Sequence, residues 1–478
     1  MKPALALLGV ALVLCGCAVG PNYRAPAPLA PEALKLRETD VAKVTPSPLP
    51  AHWWRLFDDP DLDRLVETAL SRNTDLRQAA ANLQRARAVL SEARAGRFPT
   101  FNAQAGYSRE RVNISPLGGA APVTTDFYTV GLDASYEVDL FGGVTRSIQA
   151  ARADYQAAQA QVDAARVAVA AETASAYAQA CGFAQQAAVA RQTAELQANT
   201  RALTQRLFDA GRGTERDVQE AEVLFEQTNA QVPTFDAERR AALYALAVLT
   251  GEPPAFVDAA AERCGAAPFA KQAIPIGDGQ ALLARRPDVR AAERTLAGDM
   301  ARIGVATAEL YPSITLTGVV TLGATKPGDL GKSRSLTYSA GPLISWNIPL
   351  NGAARARVRQ SRAQAQASLA AFDGKVLAAL GETEQALARL NGAVAREQTL
   401  TRAATASERA AQLSDARFRA GSDNFLQLLQ SQRDLANARG DLAQAQADRA
   451  AAQISLFKAL GGGWESAPKV VSPPLPTT

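Results

Sequence analysis

The composition of this 478-residue chain favours long helices and argues against an enzyme. Hydrophobic residues make up 47% of it and aromatic residues only 6%, and its alanine is mixed with Gln, Arg, Glu and Leu, as in coiled coils. His52 is the single histidine, so a catalytic triad or multi-histidine metal site would have to be built around it. The net charge of +4 is mild and the basic residues are interleaved with acids, which does not suggest nucleic-acid binding. We therefore expect no catalytic activity, no cofactor and no nucleic-acid partner.

The amino terminus has the pattern of an export signal. Lys2 precedes an apolar run over residues 4–14, which is too short to span a bilayer but has the length of a signal-peptide core. We predict that residues 1–16 form a cleaved signal peptide.

The run ends in Leu14-Cys15-Gly16-Cys17, which resembles a bacterial lipobox, although Cys15 stands where Ala or Ser is usual. Cys17 would then become the first mature residue and carry acyl chains. Plain secretion with an unmodified Cys17 thiol is the alternative. The Pro-rich, non-periodic residues that follow predict an extended lipidated tether over residues 17–50.

Two further cysteines lie in the exported part of the chain. Cys181 and Cys264 would meet an oxidising compartment, and a disulfide between them is our hypothesis. The alternative is that both are unpaired small hydrophobic residues.

The chain contains two copies of one sequence pattern. Residues 76–101 align without a gap to residues 289–314. Further on the two copies stand 210 residues apart, with Tyr128 matching Tyr338, Gly142 matching Gly352, Phe208 matching Phe418, Gly211 matching Gly421 and Gly251 matching Gly461. We predict a first repeat over residues 51–260, a connector over 261–277, a second repeat over 278–461 and a tail over 462–478.

Each copy begins with helices. Asp59-Pro60 is an N-cap followed by proline at the first helical position, which predicts a short amphipathic helix. The next helix carries Leu76, Leu83 and Leu90 at seven-residue spacing, as a coiled-coil seam does.

The period then changes to two, which predicts one β-hairpin over about residues 100–140 and another over about 312–350. The long strands have one apolar face and one small or polar face, as in an outer-membrane barrel. A soluble sandwich would show the same alternation. Four strands cannot close a barrel, and open edges are not tolerated in lipid, so several chains must share one barrel. Two chains would give eight strands, and three would give twelve with a lumen.

A very long helix is predicted after each hairpin. Residues 144–210 and 353–420 contain no strong helix breaker, and about 67 residues at 1.5 Å each give roughly 100 Å. Gly211 and Gly421 then supply turns. Return helices of about 37 residues follow, and Pro233 is expected to kink the first.

Several segments resemble the TolC-like outer membrane factors, and more narrowly the NodT-type lipoproteins of multidrug efflux systems. They are the lipobox followed by Val19-Gly20-Pro21-Asn22-Tyr23, then Trp54-Arg55-Leu56-Phe57, Arg285-Arg286-Pro287-Asp288, and Ile303-Gly304-Val305-Ala306 before Tyr311-Pro312. The resemblance implies a mainly α chain with a transmembrane β-hairpin pair. A homotrimer would share a 12-stranded outer-membrane β-barrel above a long periplasmic α-helical barrel.

The resemblance also implies a function and partners. The chain would be the outer membrane channel of a tripartite efflux system, working with a periplasmic adaptor and an inner-membrane transporter of the RND class. A channel for type I secretion and a periplasmic coiled-coil scaffold are the alternatives, although the four long amphipathic strands argue against the scaffold.

By the same resemblance, the turns at Arg206 to Gly211 and Arg417 to Gly421 would dock the adaptor. The family's periplasmic gate would place an apolar constriction at Leu426 and acidic rings at Gln427 and Gln430. Both ring positions are glutamine here, which puts a cation-selecting carboxylate ring in doubt. Asp423 could supply negative charge nearby, and a coiled-coil knob is the alternative role for Leu426.

Overall fold

The computed structural model describes residues 18–27, 29–37, 44–112, 122–348 and 350–473. The predicted signal peptide and the predicted lipidation site at Cys17 lie outside these ranges. The chain divides into two compact units, which are described separately. A sheet unit takes the described parts of residues 1–26, 84–157 and 292–372, and a helical unit takes those of residues 27–83, 158–291 and 373–478.

The first copy follows a two-residue strand, β1 (Val44–Thr45), and the short 3-10 helix Trp53–Phe57. Its elements are α1 (Pro60–Arg72), α2 (Thr74–Ala95), β2 (Thr100–Val112), β3 (Val123–Val138), α3 (Gly143–Asp209), α4 (Glu215–Asn229) and α5 (Gln231–Leu249). Asp59 accepts hydrogen bonds from the backbone N–H groups of Asp61 and Leu62, so it caps α1 as predicted. Helix α3 has 67 residues.

The second copy repeats this order after a connector with α6 (Ala259–Arg263) and β4 (Ile274–Pro275). Its elements are α7 (Gly279–Arg285), α8 (Pro287–Ala308), β5 (Ser313–Ala324), β6 (Leu336–Ser345), α9 (Ala353–Arg419) and α10 (Phe425–Leu460). Helix α9 also has 67 residues, so the two copies share the same long helix.

In each copy, a side chain donates a hydrogen bond to a backbone carbonyl in the last turn of the last helix. Asn73 Nδ2 donates to the carbonyl of Leu249 at 3.0 Å, and Arg286 Nη1 donates to the carbonyl of Ala459, the matching position, at 2.9 Å. Each bond satisfies a last-turn carbonyl that has no partner within its own helix. The duplication therefore extends to individual hydrogen bonds, although an amide does in one copy what a guanidinium does in the other.

The sheet unit contains a four-stranded antiparallel sheet in the order β2-β3-β5-β6. Its register places Ala103 opposite Leu132, Leu132 opposite Val320, and Val320 opposite Tyr338. Paired residues share a face, so all four strands contribute to one apolar face. Leu132, Val320 and Tyr338 are exposed in the single chain, and such a large apolar surface indicates a partner or a lipid environment.

The core of the helical unit gathers several of the chain's aromatic residues. Trp53 and Trp54 are fully buried, and Trp53 stacks on Phe457 of α10 with ring centroids 4.7 Å apart. Gly463, in the predicted tail, packs against both tryptophans, where a Cβ atom would lie 2.9 Å from Trp53 Nε1. The beginning of the tail is thus part of this core.

The second hairpin ends earlier than the sequence predicts. β6 ends at Ser345, whereas the prediction ran to about 350, and β3 ends at Val138, close to the predicted 140. Leu140 N donates to Val138 O at 2.7 Å, so the backbone turns directly after β3, and Leu350 N donates to Ile348 O at 2.8 Å. The apolar alternation in the sequence continues past the strand ends. It indicates which face a side chain lies on, but it does not show whether the backbone still pairs with a neighbouring strand.

The first return helix is divided before Pro233 at the single residue Ala230, which keeps helical φ and ψ angles of −63° and −20°. α4 ends at Asn229 and α5 begins at Gln231. Pro233 has no N–H to donate, and its ring would clash with the carbonyl four residues earlier, which belongs to Asn229. The interruption therefore lies one turn before the proline.

The described part of residues 17–50, the predicted extended tether, contacts the rest of the chain at several points. Tyr23 Oη donates to Glu293 Oε1 at 2.6 Å in the sheet unit. In the helical unit β1 pairs in parallel with β4 of the connector, Val44 lying opposite Ile274. The described segment also contains a short 3-10 helix, Pro31–Leu34, and it contributes residues to both units.

Cys181 and Cys264 are joined by a disulfide, with their Cα atoms 5.1 Å apart. The bond links α3 to the residue that follows α6, inside the helical unit. The alternative of two unpaired thiols does not describe this structure.

Candidate functional site

The two turns that end the long helices have the same backbone geometry. In the first, the N–H groups of Gly211 and Arg212 donate to the carbonyls of Phe208 and Leu207 at 2.9 and 2.8 Å. In the second, Gly421 and Ser422 donate to Phe418 and Arg417, both at 2.9 Å. This is the Schellman arrangement, and the φ angles of +69° at Gly211 and +75° at Gly421 explain why glycine occupies both positions.

Each turn leads directly into a capped helix. Thr214 and Asp217 form a reciprocal capping box at the start of α4. Asn424 Oδ1 accepts from the backbone N–H of Gln427 at 2.9 Å at the start of α10. A C-cap and an N-cap separated by three residues fix the path of the chain through both turns.

An apolar cluster lies beside the second turn in the helical unit. Ala221 and Leu224 of α4 pack with Phe425 and Leu429 of α10, and Phe418 contacts this cluster. The rings of Phe418 and Phe425 are 6.1 Å apart, on opposite sides of the turn. The cluster thereby holds the two return helices together near their starts.

The predicted docking residues differ in their partners. Arg417 Nε donates to Asp423 Oδ1 at 2.9 Å across the second turn. Arg206 Nε donates only to the carbonyl of Ala202 in its own helix, at 3.2 Å, among the contacts of the described residues. The first turn therefore presents an arginine without a carboxylate, whereas Arg417 is part of an ion pair.

The predicted gate residues lie on the first turns of α10. Leu426 is 48% exposed, while its neighbours Phe425, Leu428 and Leu429 are buried. Within this chain Leu426 is therefore not a packed coiled-coil knob. Gln430 Nε2 donates to Asp434 Oδ1 at 2.9 Å. Leu426, Gln427 and Gln430 border one groove, which places them together.

That groove has a volume of about 630 Å³. Besides the predicted residues it is lined by Arg216, Glu220, Val223 and Arg433. Arg216 pairs with Glu220 at 3.0 Å, and Arg433 is exposed. Asp423, the predicted nearby source of negative charge, is paired with Arg417 at 2.9 Å.

Sequence reasoning missed two parts of this site. The Arg417–Asp423 pair was detectable, because opposite charges flank the turn glycine Gly421. The contacts of Leu224 with α10 were not, because the sequence does not specify which helices are neighbours.

Among the described residues, none of the helices combines the length and apolar composition needed to cross a bilayer. Within the same ranges, no group of three or more His, Cys, Asp or Glu side chains is arranged to hold a metal ion.

A sequence model of the family described as "Outer membrane efflux protein" matches both copies, at residues 65–252 and 279–462. The chain is 33% identical over 473 residues to outer membrane protein OprJ of Pseudomonas aeruginosa, covering 98% of each chain. It is 31% identical over 474 residues to nodulation protein T of Rhizobium leguminosarum bv. viciae, covering 98% of this chain and 95% of that one.

The structure is similar to that of the outer-membrane channel OprN, with a TM-score of 0.88 and 37% identity over 94% of this chain and 100% of that one. The predicted resemblance, the mainly helical fold with duplicated hairpins and the outer-membrane location are confirmed. The chain belongs to the outer membrane efflux protein family and is an efflux channel protein of the cell outer membrane.

Proposed function

We propose that three copies of this chain close one 12-stranded β-barrel and continue below it as a helical channel. The four-stranded sheet with two open edges, β2 and β6, carries this proposal. Its apolar face suits lipid, yet unpaired edge N–H and C=O groups cannot remain in the hydrocarbon region. Pairing β6 of one copy with β2 of the next removes every edge, and twelve strands leave room for a lumen.

The test uses the full mature chain in detergent. Unheated protein should migrate in SDS gels at about three times the mass of the heated chain, and it should conduct ions in planar bilayers. A periplasmic scaffold would do neither. A heat-stable band at twice the mass, corresponding to eight strands, would contradict the trimer.

The proposed cargo is small molecules, such as drugs and other toxic compounds. Its support is the family's description as efflux proteins and the sequence resemblance to multidrug efflux lipoproteins. The proposed partners are a periplasmic adaptor and an inner-membrane RND-type transporter. Co-purification with both, and drug sensitivity of a deletion strain, would test this assignment, and secretion of a protein substrate would favour type I secretion instead. We propose no catalytic role for the chain.

We propose that the two helix turns dock the adaptor. The shared Schellman geometry supports this, because it presents two similar surfaces per chain. Arg206→Glu should weaken adaptor binding in a pull-down while leaving conductance unchanged, since the hydrogen bond that Arg206 makes among the described residues stays within its own helix. Arg87→Glu, an exposed arginine on α2, is the matched control. Equal loss in both variants would contradict the assignment.

We propose that Leu426 forms the apolar constriction of the gate, with Gln427 and Gln430 beside it. Its exposure next to three buried neighbours supports a role outside the single chain's core. Threefold symmetry would place three copies around one axis, so each change acts three times. Leu426→Ser should increase single-channel conductance or leakage, whereas Leu413→Ser, at the same 48% exposure on α9, should not. Unchanged current in Leu426→Ser would exclude the gate role.

The paired Asp423 and the two glutamines support weak cation selectivity at this gate. Gln427→Glu should raise the cation preference measured from reversal potentials in a salt gradient. If the wild-type channel is already strongly cation-selective, its carboxylates lie elsewhere.

We propose that Cys17 is the lipidated first residue of the mature protein. Its support is the lipobox-like sequence after the apolar run. Labelling of the wild type with radioactive palmitate, lost in Cys17→Ser, would agree with this proposal. An unlabelled wild type would contradict it.

A further inference from the structure

A buried arginine at the start of α3 has no carboxylate partner among the described residues. Arg146 is 3% exposed and lies in the first turn of the helix. The amino-terminal end of a helix already carries partial positive charge, and a buried cation without hydrogen bonds is costly. Other groups must therefore stabilise this guanidinium.

Those groups come from the amino-terminal segment, residues 18–22. Arg146 Nε donates to Val19 O at 3.1 Å, and Nη2 donates to Ala18 O at 3.4 Å and Gly20 O at 3.2 Å. Nη2 also donates to Asn22 Oδ1 at 2.9 Å, and Nη1 donates to Gln149 Oε1 at 2.9 Å. Four of these five hydrogen bonds go to the segment, and three of the four are accepted by backbone carbonyls of the segment.

Three glycines allow the segment to lie close against the sheet unit. Gly20 has φ of +87°, and a Cβ there would lie 2.6 Å from Gly304 Cα. Gly142 has φ of +78°, and its Cβ would lie 2.5 Å from Ala18 Cα. A Cβ on Gly304 would lie 2.7 Å from Arg146 Cγ. No side chain fits at any of these positions without displacing its neighbour.

The second copy of the repeat shows what the fold looks like without this site. The positions that match Gly142 and Arg146 are Gly352 and Ala356, and the one that matches Gly304 is Ser91. Apart from the glycine and its two chain neighbours, no atom of the described residues lies within 4 Å of a Cβ built on Gly352. The site is therefore an addition to the first copy and not a consequence of the duplicated fold.

We propose that the Arg146 site, formed by Arg146, Gly142 and Gly304, is a binding site for the mature amino terminus that fixes the lipid anchor beside the end of β3. This inference rests on the lipidation of Cys17 proposed above. Val19 N donates to Phe141 O at 3.1 Å, so the described start of the segment is held just after the end of β3. A free tether over residues 17–50 would reach on the order of 100 Å.

The test is limited trypsin digestion of the native, palmitate-labelled protein, scoring release of the peptide that ends at Arg24. Arg24 and Ala25 are exposed, so trypsin can cut the bond between them while residues 18–22 are still docked. The cut peptide leaves only when it dissociates from the Arg146 site, so its rate of release measures undocking. Arg146→Ala should release the labelled peptide at least tenfold faster than wild type. Arg355→Ala, next to the matching position in the second copy, should behave as wild type. Release from Arg146→Ala at the wild-type rate would overturn the proposal.

Gly20→Ala tests the site from the other side, because the segment can leave without unfolding the body of the chain. It should also accelerate release, while the unheated oligomer band and the circular dichroism spectrum stay unchanged. If Arg146→Ala does not fold, wild-type release from Gly20→Ala alone overturns the proposal.

Failure of the Arg146 site can be distinguished from failure of the Cys17 lipidation and of the channel function. An unlabelled wild-type peptide, identified by mass, would overturn both the lipidation of Cys17 and the anchor role, whatever its release rate. Absence of conductance in the wild type would contradict the channel proposal and leave the release measurements unaffected.

Discussion

Replacing Arg286 by alanine should destabilise the helical unit more than replacing its counterpart Asn73. Arg286 Nη2 contacts Asp288 Oδ2 at 2.8 Å and Glu382 Oε2 at 2.7 Å, besides its bond to the carbonyl of Ala459. Within the described part of the chain, the Asn73 side chain makes neutral hydrogen bonds, to Leu249 O and, through Oδ1, from the backbone N–H groups of Asp75 and Leu76 in the first turn of α2. The duplicated fold thus offers two versions of one contact in the same protein.

The expected magnitudes follow from burial and charge. Removing one partner of a buried ion pair costs about 3–5 kcal/mol. The Arg286 side chain is 8% exposed, but Glu382 is 55% exposed and can regain water, so we expect about 3 kcal/mol for Arg286→Ala. Losing a helix cap and a neutral hydrogen bond costs about 1 kcal/mol each, so Asn73→Ala should cost about 2 kcal/mol.

The difference between the variants should depend on pH. Burial acts to raise the pKa of Asp288, but the hydrogen bond and charge of Arg286 outweigh it and hold that pKa below its usual value. An acidic group whose pKa is lower in the folded state stabilises the fold at pH values above its unfolded pKa of about 3.9. This stabilisation is lost as the pH falls through the pKa of the folded state. The extra cost of Arg286→Ala should therefore shrink in acid, whereas the cost of Asn73→Ala should not.

Urea titrations followed by tryptophan fluorescence measure both effects, because Trp53 and Trp54 are buried in the same unit. Midpoints at pH 7 and below pH 4 give the differences in unfolding free energy. A cost for Asn73→Ala equal to or above that for Arg286→Ala, or a difference independent of pH, would refute this reasoning.

Three further predictions concern the helical unit. Cys181 and Cys264 close a loop of 83 residues, so Cys181→Ser should lower the unfolding free energy by about 2–5 kcal/mol, and a reductant should then have no further effect on the melting curve. The hydrogen bond from Arg64 lowers the pKa of Asp258, so the stability lost in Asp258→Asn should be constant at neutral pH. It should decrease as the pH falls from about 4 through the lowered pKa, which urea midpoints would show. Gly421→Ala should lower the unfolding free energy by about 1 kcal/mol, because the positive φ at this position disfavours alanine. Gly461 also has a positive φ, and a Cβ there would lie 2.8 Å from Arg286 Cγ. Gly461→Ala should therefore lower the melting temperature more than Gly421→Ala does.

The sheet was predictable because side chains alternate between the two faces of a strand with a period of two. This pattern can be recognised in the sequence of one strand without knowing which strands are its neighbours. It placed Leu132 and Tyr338 on one face, and the observed register agrees. The strand ends were less predictable, because the turn at Leu140 depends on a backbone hydrogen bond that no residue type specifies. Pro233 was expected to disturb the first return helix because its ring clashes with the carbonyl four residues earlier, that of Asn229, and the helix is divided at the next residue, Ala230.

The functional residues were predictable only in part. The turn glycines could be identified because positive φ leaves few other choices, as at Gly421. Leu426 was located by family spacing, and its exposure could not be known from the sequence. Arg146 was overlooked because its partners are mainly backbone carbonyls, which every residue possesses.

The order β2-β3-β5-β6 has a consequence for assembly. The contact between β3 and β5 joins the two copies inside one chain, so its strands meet at an effective concentration that does not depend on how much protein the cell makes. In the proposed barrel, the equivalent contact between β6 and β2 joins different chains and obeys mass action. Covalent fusion of two ancestral hairpins would thereby have reduced the assembly from six separate pieces to three. Substitutions at the edges β2 and β6 should matter most when expression is low.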